Sequence, residues 1–367
     1  MKIVYIASRS LDNIGGIETY MKCLCPLLSD KGHDIILYTE GGFFKKEKYE
    51  NINIVKLPSI KSKLLNKILL GFFGTIHSLL FNRKVDIYHY NANASALFSF
   101  MPRVLSLNVV YQGHGLEWKR AKWSSFFQFI IRKLDDFVIF TNNNITMVSE
   151  EQSDFILKKY KKKSRTITSG VTINSKIHDK KILKKFNIKE NNYILYLGRL
   201  VQEKKADTLI EAYLESNTQL QLVIAGDDPN EKKYINSLKE KANKNINIIF
   251  TGSAFNEDKE ALLQNCKIFA IPSELEGLPI TLLEAMSYKK VCIASDIEPN
   301  KEALGNSGVF FKVNNKKDLI DKINDISENY DNYSHLEEVV FKRIKEKFTW
   351  EIIANNFINY YKKIIEK

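Results

Sequence analysis

The chain has 367 residues, 44% of them apolar, with 55 Lys and Arg against 43 Asp and Glu for a net charge of +12. That length exceeds a single core and fits two domains of ordinary size, while the apolar and aromatic content excludes a disordered chain. The basic balance favours anionic partners, whether nucleotides, acidic lipid surfaces or nucleic acid, without choosing among them.

Strand and helix patterns alternate from the first residue. Lys2–Ala7 is an apolar run ending in a polar loop that carries Gly15 and Gly16. Ile17, Tyr20, Met21, Leu24, Leu27 and Leu28 then form one helix stripe, with Pro26 expected to kink or shorten that helix and Gly32 expected to stop it. Further strands are expected at Asp34–Thr39, Ile52–Leu57, Val85–Tyr90, Asn108–Tyr111 and Phe137–Phe140, with helical segments between most of them. The pattern restarts near Asn191. Tyr193–Leu197, Gln221–Ala225, Ile246–Phe250, Ile268–Ile271 and Val291–Ala294 read as strands, Ala206–Leu214 and Ile280–Met286 as helices, and Trp350–Ile365 as an amphipathic last helix. Buried apolar strands alternating with helices signify parallel sheets covered on both faces. The fold class expected is α/β, with two doubly wound, Rossmann-like domains facing a cleft. The Lys-rich piece Ile177–Glu190 reads as the link between them.

The four cysteines, at 23, 25, 266 and 292, match no zinc spacing and no disulfide framework, so free thiols in a reducing compartment are expected. Met1–Ala7 reads directly as a strand with no basic leader before it. The most apolar run, Ile68–Phe81, is short for a bilayer and contains His77. A cytoplasmic protein is expected.

The polar residues that stand out sit where parallel strands end, which is where open α/β sheets bind ligands. Gly198 and Arg199 close the first strand of the second half, and Lys204 follows just before a helix. A planar guanidinium and a point-charge ammonium together suit a diphosphate. Asp227 follows Ala225-Gly226, where it contacts a nucleotide or caps the next helix. Glu276 and Glu284 stand eight positions apart, bracketing Gly277 and Leu278 and the start of an apolar helix. Buried carboxylates need hydrogen-bonding partners. The two either grip ligand hydroxyls or are one cap-like and one exposed residue. Backbone N–H groups at that helix start can take phosphate oxygens. In the first half, Gly15-Gly16 permits close backbone approach to a ligand, and no phosphate loop of the Gly-Lys-Ser/Thr type occurs. His114 lies between Gly113 and Gly115, a setting that packing explains poorly. Glu117, Trp118, Lys119 and Arg120 follow, a mix of acid, indole and cations that suits carbohydrate stacking and phosphate contact or an anchored basic surface helix.

These residues together resemble glycosyltransferase family 4, the retaining nucleotide-sugar transferases of the GT-B fold. The resemblance spans nearly the whole chain. It rests on Gly15-Gly16-Ile17-Glu18, His114-Gly115-Leu116-Glu117-Trp118, Gly198-Arg199-Leu200 with Glu203-Lys204, and Glu276-Gly277 through Glu284-Ala285. Phe348-Thr349-Trp350 resembles the family's closing motif before a helix that crosses back to the first domain. The run from Gly115 to Trp123 is similar to a subgroup that builds bacterial surface polysaccharides, rhamnosyl and related transferases among them. Two departures stand out: Lys205 occupies a position where the family usually has Gly, and Pro26 lies inside the first helix.

The resemblance implies an N-terminal acceptor domain over residues 1–175, joined by the crossing helix 350–367, and a nucleotide-sugar domain over 190–349. Arg199 and Lys204 would neutralise the donor diphosphate, Glu284 would hold the ribose, and Glu276 with the backbone after it would hold the donor sugar. Gly16 would lie against the diphosphate and His114 near the transferred sugar. Glu117, Trp118, Lys119 and Arg120 would face the acceptor. It implies retention of configuration and no cofactor, the cations replacing a metal.

The expected partners are a nucleotide sugar and a glycan or lipid-linked acceptor. Lys61–Lys84 holds five cations and no acid among many apolar residues. It is either a basic amphipathic helix lying in an anionic membrane surface or a helix whose apolar face packs on the sheet. Lys158–Lys163 with Arg165 is a second basic cluster. A sugar-nucleotide epimerase or a phosphorylase holding pyridoxal phosphate on the same architecture is the competing enzyme reading. No recognition helix or aromatic RNA platform is visible, so no nucleic acid partner is expected.

Overall fold

The computed structural model describes residues 1–11, 15–115, 125–174 and 176–366. The chain divides into two compact units, Met1–Gly170 with Trp350–Lys367, and Val171–Thr349.

In the first unit the elements run β1 (Lys2–Ser8), α1 (Gly16–Asp30), β2 (Asp34–Glu40), β3 (Lys45–Tyr49), β4 (Ile52–Leu57), α2 (Lys63–Phe81), β5 (Ile87–Asn91), α3 (Phe100–Val104), β6 (Val109–Gly113), α4 (Ser125–Thr141), β7 (Asn144–Met147), α5 (Glu150–Tyr160) and β8 (Arg165–Thr166). The sheet order is β3-β4-β2-β1-β5-β6-β7-β8, parallel except for the β3–β4 pair. Strand order reverses between β1 and β5, so the loops after these two strands part to either side of a switch point.

The second unit holds α6 (Lys181–Lys185), β9 (Tyr193–Leu197), α7 (Ala206–Glu215), β10 (Gln221–Ala225), α8 (Lys232–Lys241), β11 (Ile248–Gly252), α9 (Asn256–Asn265), β12 (Ile268–Ile271), α10 (Ile280–Ser287), β13 (Val291–Ser295), α11 (Glu298–Leu304), β14 (Val309–Phe311), α12 (Lys316–Glu328), α13 (Tyr330–Ser334) and α14 (Leu336–Arg343). Its sheet runs β11-β10-β9-β12-β13-β14, all parallel. Here the switch falls between β9 and β12, which pair at Ile194 with Ile268 and Leu195 with Phe269.

The last helix, α15 (Trp350–Ile365), belongs to the first unit. Its Trp350, Phe357 and Tyr361 share one core with Tyr20 and Leu24 of α1 and Ile3 and Tyr5 of β1. The opposite sheet face is covered by α2, α4 and α5, through Leu70, Val138, Ile139 and Ile156. Every residue of β9, β10 and β13 is buried, as expected of parallel strands covered on both sides.

Three expectations are corrected. Phe137–Phe140 is the last turn of α4, and the strand follows at Asn144–Met147. The helix α1 runs through Pro26 to Asp30. Proline lacks only its own N–H and clashes with one preceding carbonyl, and here the core around Leu24, Cys25 and Leu28 holds the helix together. Residues 177–190 are part of the second unit rather than a link, with Ile182 and Leu183 buried. As for Lys61–Lys84, the structure shows α2 burying Leu70 in the core beneath the sheet. No helix among the described residues is long and apolar enough to cross a membrane. The four cysteines are free.

Candidate functional site

In the second unit the loops after β9 and β12 flank the switch point, and several contacts tie them together. Glu274 N donates to Glu203 O at 2.9 Å, and Lys204 Nζ is paired with Glu276 Oε1. Glu276 is nearly buried, with 7% of its side chain exposed, so the ammonium is what makes its charge tolerable there. Lysine has three donors. One goes to Glu276 and leaves two for a ligand oxygen.

The turn that aims Lys204 passes through Lys205, at φ 52° and ψ 37°. This left-handed conformation explains why the family prefers glycine at that position. The Lys205 side chain folds onto Glu274, at 3.0 Å.

Arg199 is half exposed, its Nη1 lying 3.6 Å from Asp228 Oδ2. The carbonyl of Arg199 accepts from Tyr196 Oη at 2.9 Å, which fixes the backbone after β9. Asp227 Oδ1 accepts from the Asp228 N–H at 2.8 Å and so stiffens the turn after β10. Gly198 N donates to Ala225 O at 3.0 Å. A Cβ on Gly226 would lie 1.8 Å from the Gly198 carbonyl oxygen, so only glycine lets these two strand ends meet.

Gly277 precedes α10, and Leu278 is buried. Glu284, within α10, accepts from Lys259 Nζ at 2.6 Å. Burial raises the pKa of this carboxyl above its usual range, and Lys259 pulls it back part of the way. Burial likewise works against the charge on Lys259, but Glu284 and Glu260 outweigh it and lift its pKa above the usual lysine range. Glu284 is therefore neither exposed nor unpaired. Its partner was not foreseen, and neither was Asp228 beside Arg199. A lysine in the charged helix Asn256–Asn265 carries no local sign of pairing with a residue 25 positions on.

In the first unit Gly15 and Gly16 open α1, whose first turn holds the buried Glu18 paired with Arg9 Nε at 2.9 Å. His114 follows β6 and its Nε2 lies 3.3 Å from Asn91 Oδ1 at the end of β5. An amide oxygen only accepts, so this contact puts the proton on Nε2 and leaves Nδ1 with a lone pair. Burial, with help from Lys67, lowers the His114 pKa to about 3, so the ring is neutral at ordinary pH. Glu117, Trp118, Lys119 and Arg120 lie outside the described residues.

Two doubly wound α/β units of this topology, with Arg199 and Lys204 beside the switch point of the second, have the architecture of the GT-B class. Residues 14–175 match the family described as Glycosyltransferase Family 4, and residues 178–343 match Glycosyl transferases group 1. The chain belongs to glycosyltransferase family 4. It is 23% identical over 98% of its length to the O-antigen biosynthesis glycosyltransferase WbnH of Escherichia coli, covering 98% of that protein. It is 28% identical over half its length to the N,N'-diacetylbacillosaminyl-diphospho-undecaprenol alpha-1,3-N-acetylgalactosaminyltransferase of Campylobacter jejuni, covering 48% of it. Among solved structures, sucrose-phosphate synthase of Thermosynechococcus elongatus superposes with a TM-score of 0.83 at 18% identity over 100% of both chains. That last likeness bears on the fold alone.

Proposed function

We propose that this glycosyltransferase moves a sugar, with retention of configuration and without a metal, from a nucleotide-sugar donor to a lipid-linked glycan in bacterial surface polysaccharide synthesis. The observation that carries the reading is the joining of the loops after β9 and β12 by Lys204 and Glu276. It supports a donor site in the second unit. The relative from Campylobacter jejuni, whose name gives a diphospho-undecaprenol acceptor, and the O-antigen enzyme of Escherichia coli motivate the acceptor class.

In this reading the donor diphosphate meets Arg199, the two remaining donors of Lys204 and the N–H groups between Gly277 and the start of α10. As the glycosyl bond breaks, negative charge grows on the departing phosphate and positive charge on the sugar ring. Cations held in place before reaction stabilise that state more than the ground state. Glu276 takes donor-sugar hydroxyls and Glu284 takes ribose hydroxyls. Gly198 and Gly226 keep the backbone low enough for the nucleotide, and Asp227 holds the turn beside it. In the first unit Gly15 and Gly16 offer backbone to a phosphate, and the neutral His114 offers Nδ1 as an acceptor to a sugar hydroxyl. Glu117, Trp118, Lys119 and Arg120 are assigned to the acceptor.

A thermal-shift screen of nucleotide sugars tests this. A ligand at 100 times its dissociation constant adds about 2.7 kcal/mol, and the shift should shrink in Lys204→Ala and Glu284→Ala. Shifts of unchanged size in both variants would place the donor elsewhere. The anomeric configuration of the product, read by NMR coupling constants, decides retention.

A further inference from the structure

The helices α9 and α10 meet through four polar side chains. Lys259 and Glu260 are neighbours on α9. Glu284 lies within α10 and Tyr288 caps its end four residues later, so these two share one face. Lys259 Nζ lies 2.6 Å from Glu284 Oε1 and 3.5 Å from Glu260 Oε1, and Tyr288 Oη donates to Glu260 Oε2. The side chains of Lys259, Glu260 and Glu284 are 24%, 23% and 14% exposed, so salt screens their charges little. One ammonium therefore serves two carboxylates, and unequally. Only the contact with Glu284 has the length of a strong hydrogen bond.

The surroundings of Glu260 account for the inequality. A carboxylate that already accepts a proton from a hydroxyl draws an ammonium less strongly. The Tyr288 hydroxyl has one proton and one rival acceptor, His178 Nε2 at 3.3 Å. That nitrogen already faces Asn174 Nδ2 at 3.1 Å. An amide nitrogen only donates and an imidazole nitrogen has one lone pair, so the tyrosine proton stays on Glu260. Burial and the Glu260 carboxylate raise the Tyr288 pKa, which keeps the hydroxyl a donor. The consequence falls on Glu284. Burial raises its pKa, Lys259 opposes the rise and Glu260 adds to it, so a Lys259 drawn toward Glu260 would cost Glu284 both its place and its charge. The only hydrogen bond to its carboxylate among the described residues is the one Lys259 gives to Oε1, which leaves Oε2 for a ligand.

We propose that Tyr288 and Glu260 are positioning residues for the nucleotide: Tyr288 occupies Glu260, which keeps Lys259 on Glu284 and leaves Oε2 of that carboxylate to accept a ribose hydroxyl. The inference rests on the reading that Glu284 holds ribose, and it adds two residues that themselves touch no substrate.

Whichever of UDP, GDP and ADP the parent protein binds is compared with its 2′-deoxy and 3′-deoxy counterparts by titration calorimetry at one pH. The parent should prefer the ribose form over one of the deoxy forms by about tenfold or more, the scale of a hydrogen bond to a charged group. Tyr288→Phe, which removes one oxygen and keeps the ring, should lower that preference about fivefold, because Glu260 then draws Lys259 away. Glu260→Gln alone should keep the preference. Tyr288→Phe combined with Glu260→Gln should restore it to within about twofold of the parent, since the rival carboxylate is gone. Melting temperatures of the four proteins are recorded alongside. A lowered melting temperature with unchanged ribose preference in Tyr288→Phe is what packing between α9 and α10 alone would give, and it overturns the proposal. So does a double variant that loses as much preference as Tyr288→Phe. A parent that binds ribose and deoxyribose forms alike, or none of the three nucleotides, removes the reading of Glu284 together with the proposal, and that failure shows in the parent before any variant is made.

Discussion

Lys259 Nζ and Glu284 Oε1, on α9 and α10, lie 2.6 Å apart with 24% and 14% of their side chains exposed. The pair holds the carboxylate in place before any ligand arrives. Replacing Lys259 by Met would strand a mostly buried charge, at a cost of about 2 kcal/mol after discounting for its residual exposure. Part of that loss returns when Glu284→Gln is added, the non-additivity of a true pair. The same change raises the Glu284 pKa further, because burial already raises it and Lys259 opposes the rise. An ionised carboxylate accepts ribose hydroxyls more strongly than the protonated acid, which keeps only part of its acceptor capacity. Nucleotide affinity should therefore weaken as pH falls through this pKa, with the midpoint at higher pH in Lys259→Met than in the parent. Titration calorimetry across pH reads the displacement, and identical midpoints would remove Glu284 from the nucleotide site.

Lys204 and Glu276 differ in what their loss should do. Lys204→Met removes a charge that acts on the departing diphosphate, and kcat should fall by about 10²–10³, the scale of other preorganised electrostatic donors. Glu276→Gln keeps the shape and releases Lys204 from its partner, so its effect should fall mainly on donor-sugar selectivity. Comparing nucleoside diphosphate with nucleotide sugar separates the two. Lys204→Met weakens both ligands, whereas Glu276→Gln weakens only the sugar-bearing one.

Gly226→Ala tests the meeting of β9 and β10. The new Cβ would stand 1.8 Å from the Gly198 carbonyl oxygen, a backbone atom that cannot swing aside. A strand end must shift, at a cost of about 3 kcal/mol, and Arg199 moves with it. Urea unfolding should show the loss of stability. A stability within error of the parent would mean the two strand ends are not in contact.

The parts of this fold that could be read in advance are those buried on both sides. Tyr193–Leu197 and Ile268–Ile271 are continuous apolar runs, Gln221–Ala225 is one after its first residue, and all three match their strands end to end. Phe137–Phe140 was misread because α4 is apolar on two faces, which erases the contrast that marks a helix. The edge strand Lys45–Tyr49, with sequence KKEKY, has no apolar pattern at all, and Val309–Phe311 is three residues long. At the site, glycines, cations and carboxylates at strand ends were visible, because strand ends are where such residues have work to do. Their partners Lys259 and Asp228 were not, because an ion pair across elements leaves no mark in local spacing.

Lys205 is a lysine doing a glycine's work, at φ 52°. An L-residue there costs about 1–2 kcal/mol, and glycine would relieve it. Glycine also adds freedom to the unfolded chain, about 0.5–1 kcal/mol, and gives up the half-exposed pair with Glu274, worth at most about 1 kcal/mol. Lys205→Gly should therefore lie within about 1 kcal/mol of the parent and retain turnover, since the turn that aims Lys204 is kept. Lys205→Val, β-branched and strained at positive φ, should cost more than Lys205→Gly and reduce kcat. Thermal melts and initial rates of the two variants are compared directly. Equal behaviour would show that the turn does not depend on this conformation.

His89 is fully buried in a chain of hydrogen bonds that starts on the last helix. Tyr361 Oη lies 2.8 Å from Tyr5 Oη and 2.7 Å from His89 Nδ1, His89 Nε2 lies 3.0 Å from Gln112 Oε1, and Gln112 Nε2 donates to Tyr20 Oη at 2.9 Å. With its amide nitrogen committed to Tyr20, Gln112 accepts from the His89 Nε2–H, so Nδ1 accepts from Tyr361 and the ring is held neutral. Burial lowers its pKa to about 3, against 6.5 in the unfolded chain. Between those values the unfolded state binds the proton and the folded state does not, so stability falls as pH drops from about 6.5 toward 3. At about pH 5.5 the loss from this one histidine is about 1.4 kcal/mol. His114, lowered in the same sense by burial, steepens the decline. Denaturant unfolding of the parent and of His89→Gln, each from pH 8 to pH 4.5, reads the effect as a slope rather than an absolute stability. The variant should lose less stability over that interval even if it begins lower, and parallel curves would show that His89 takes up its proton in the folded state.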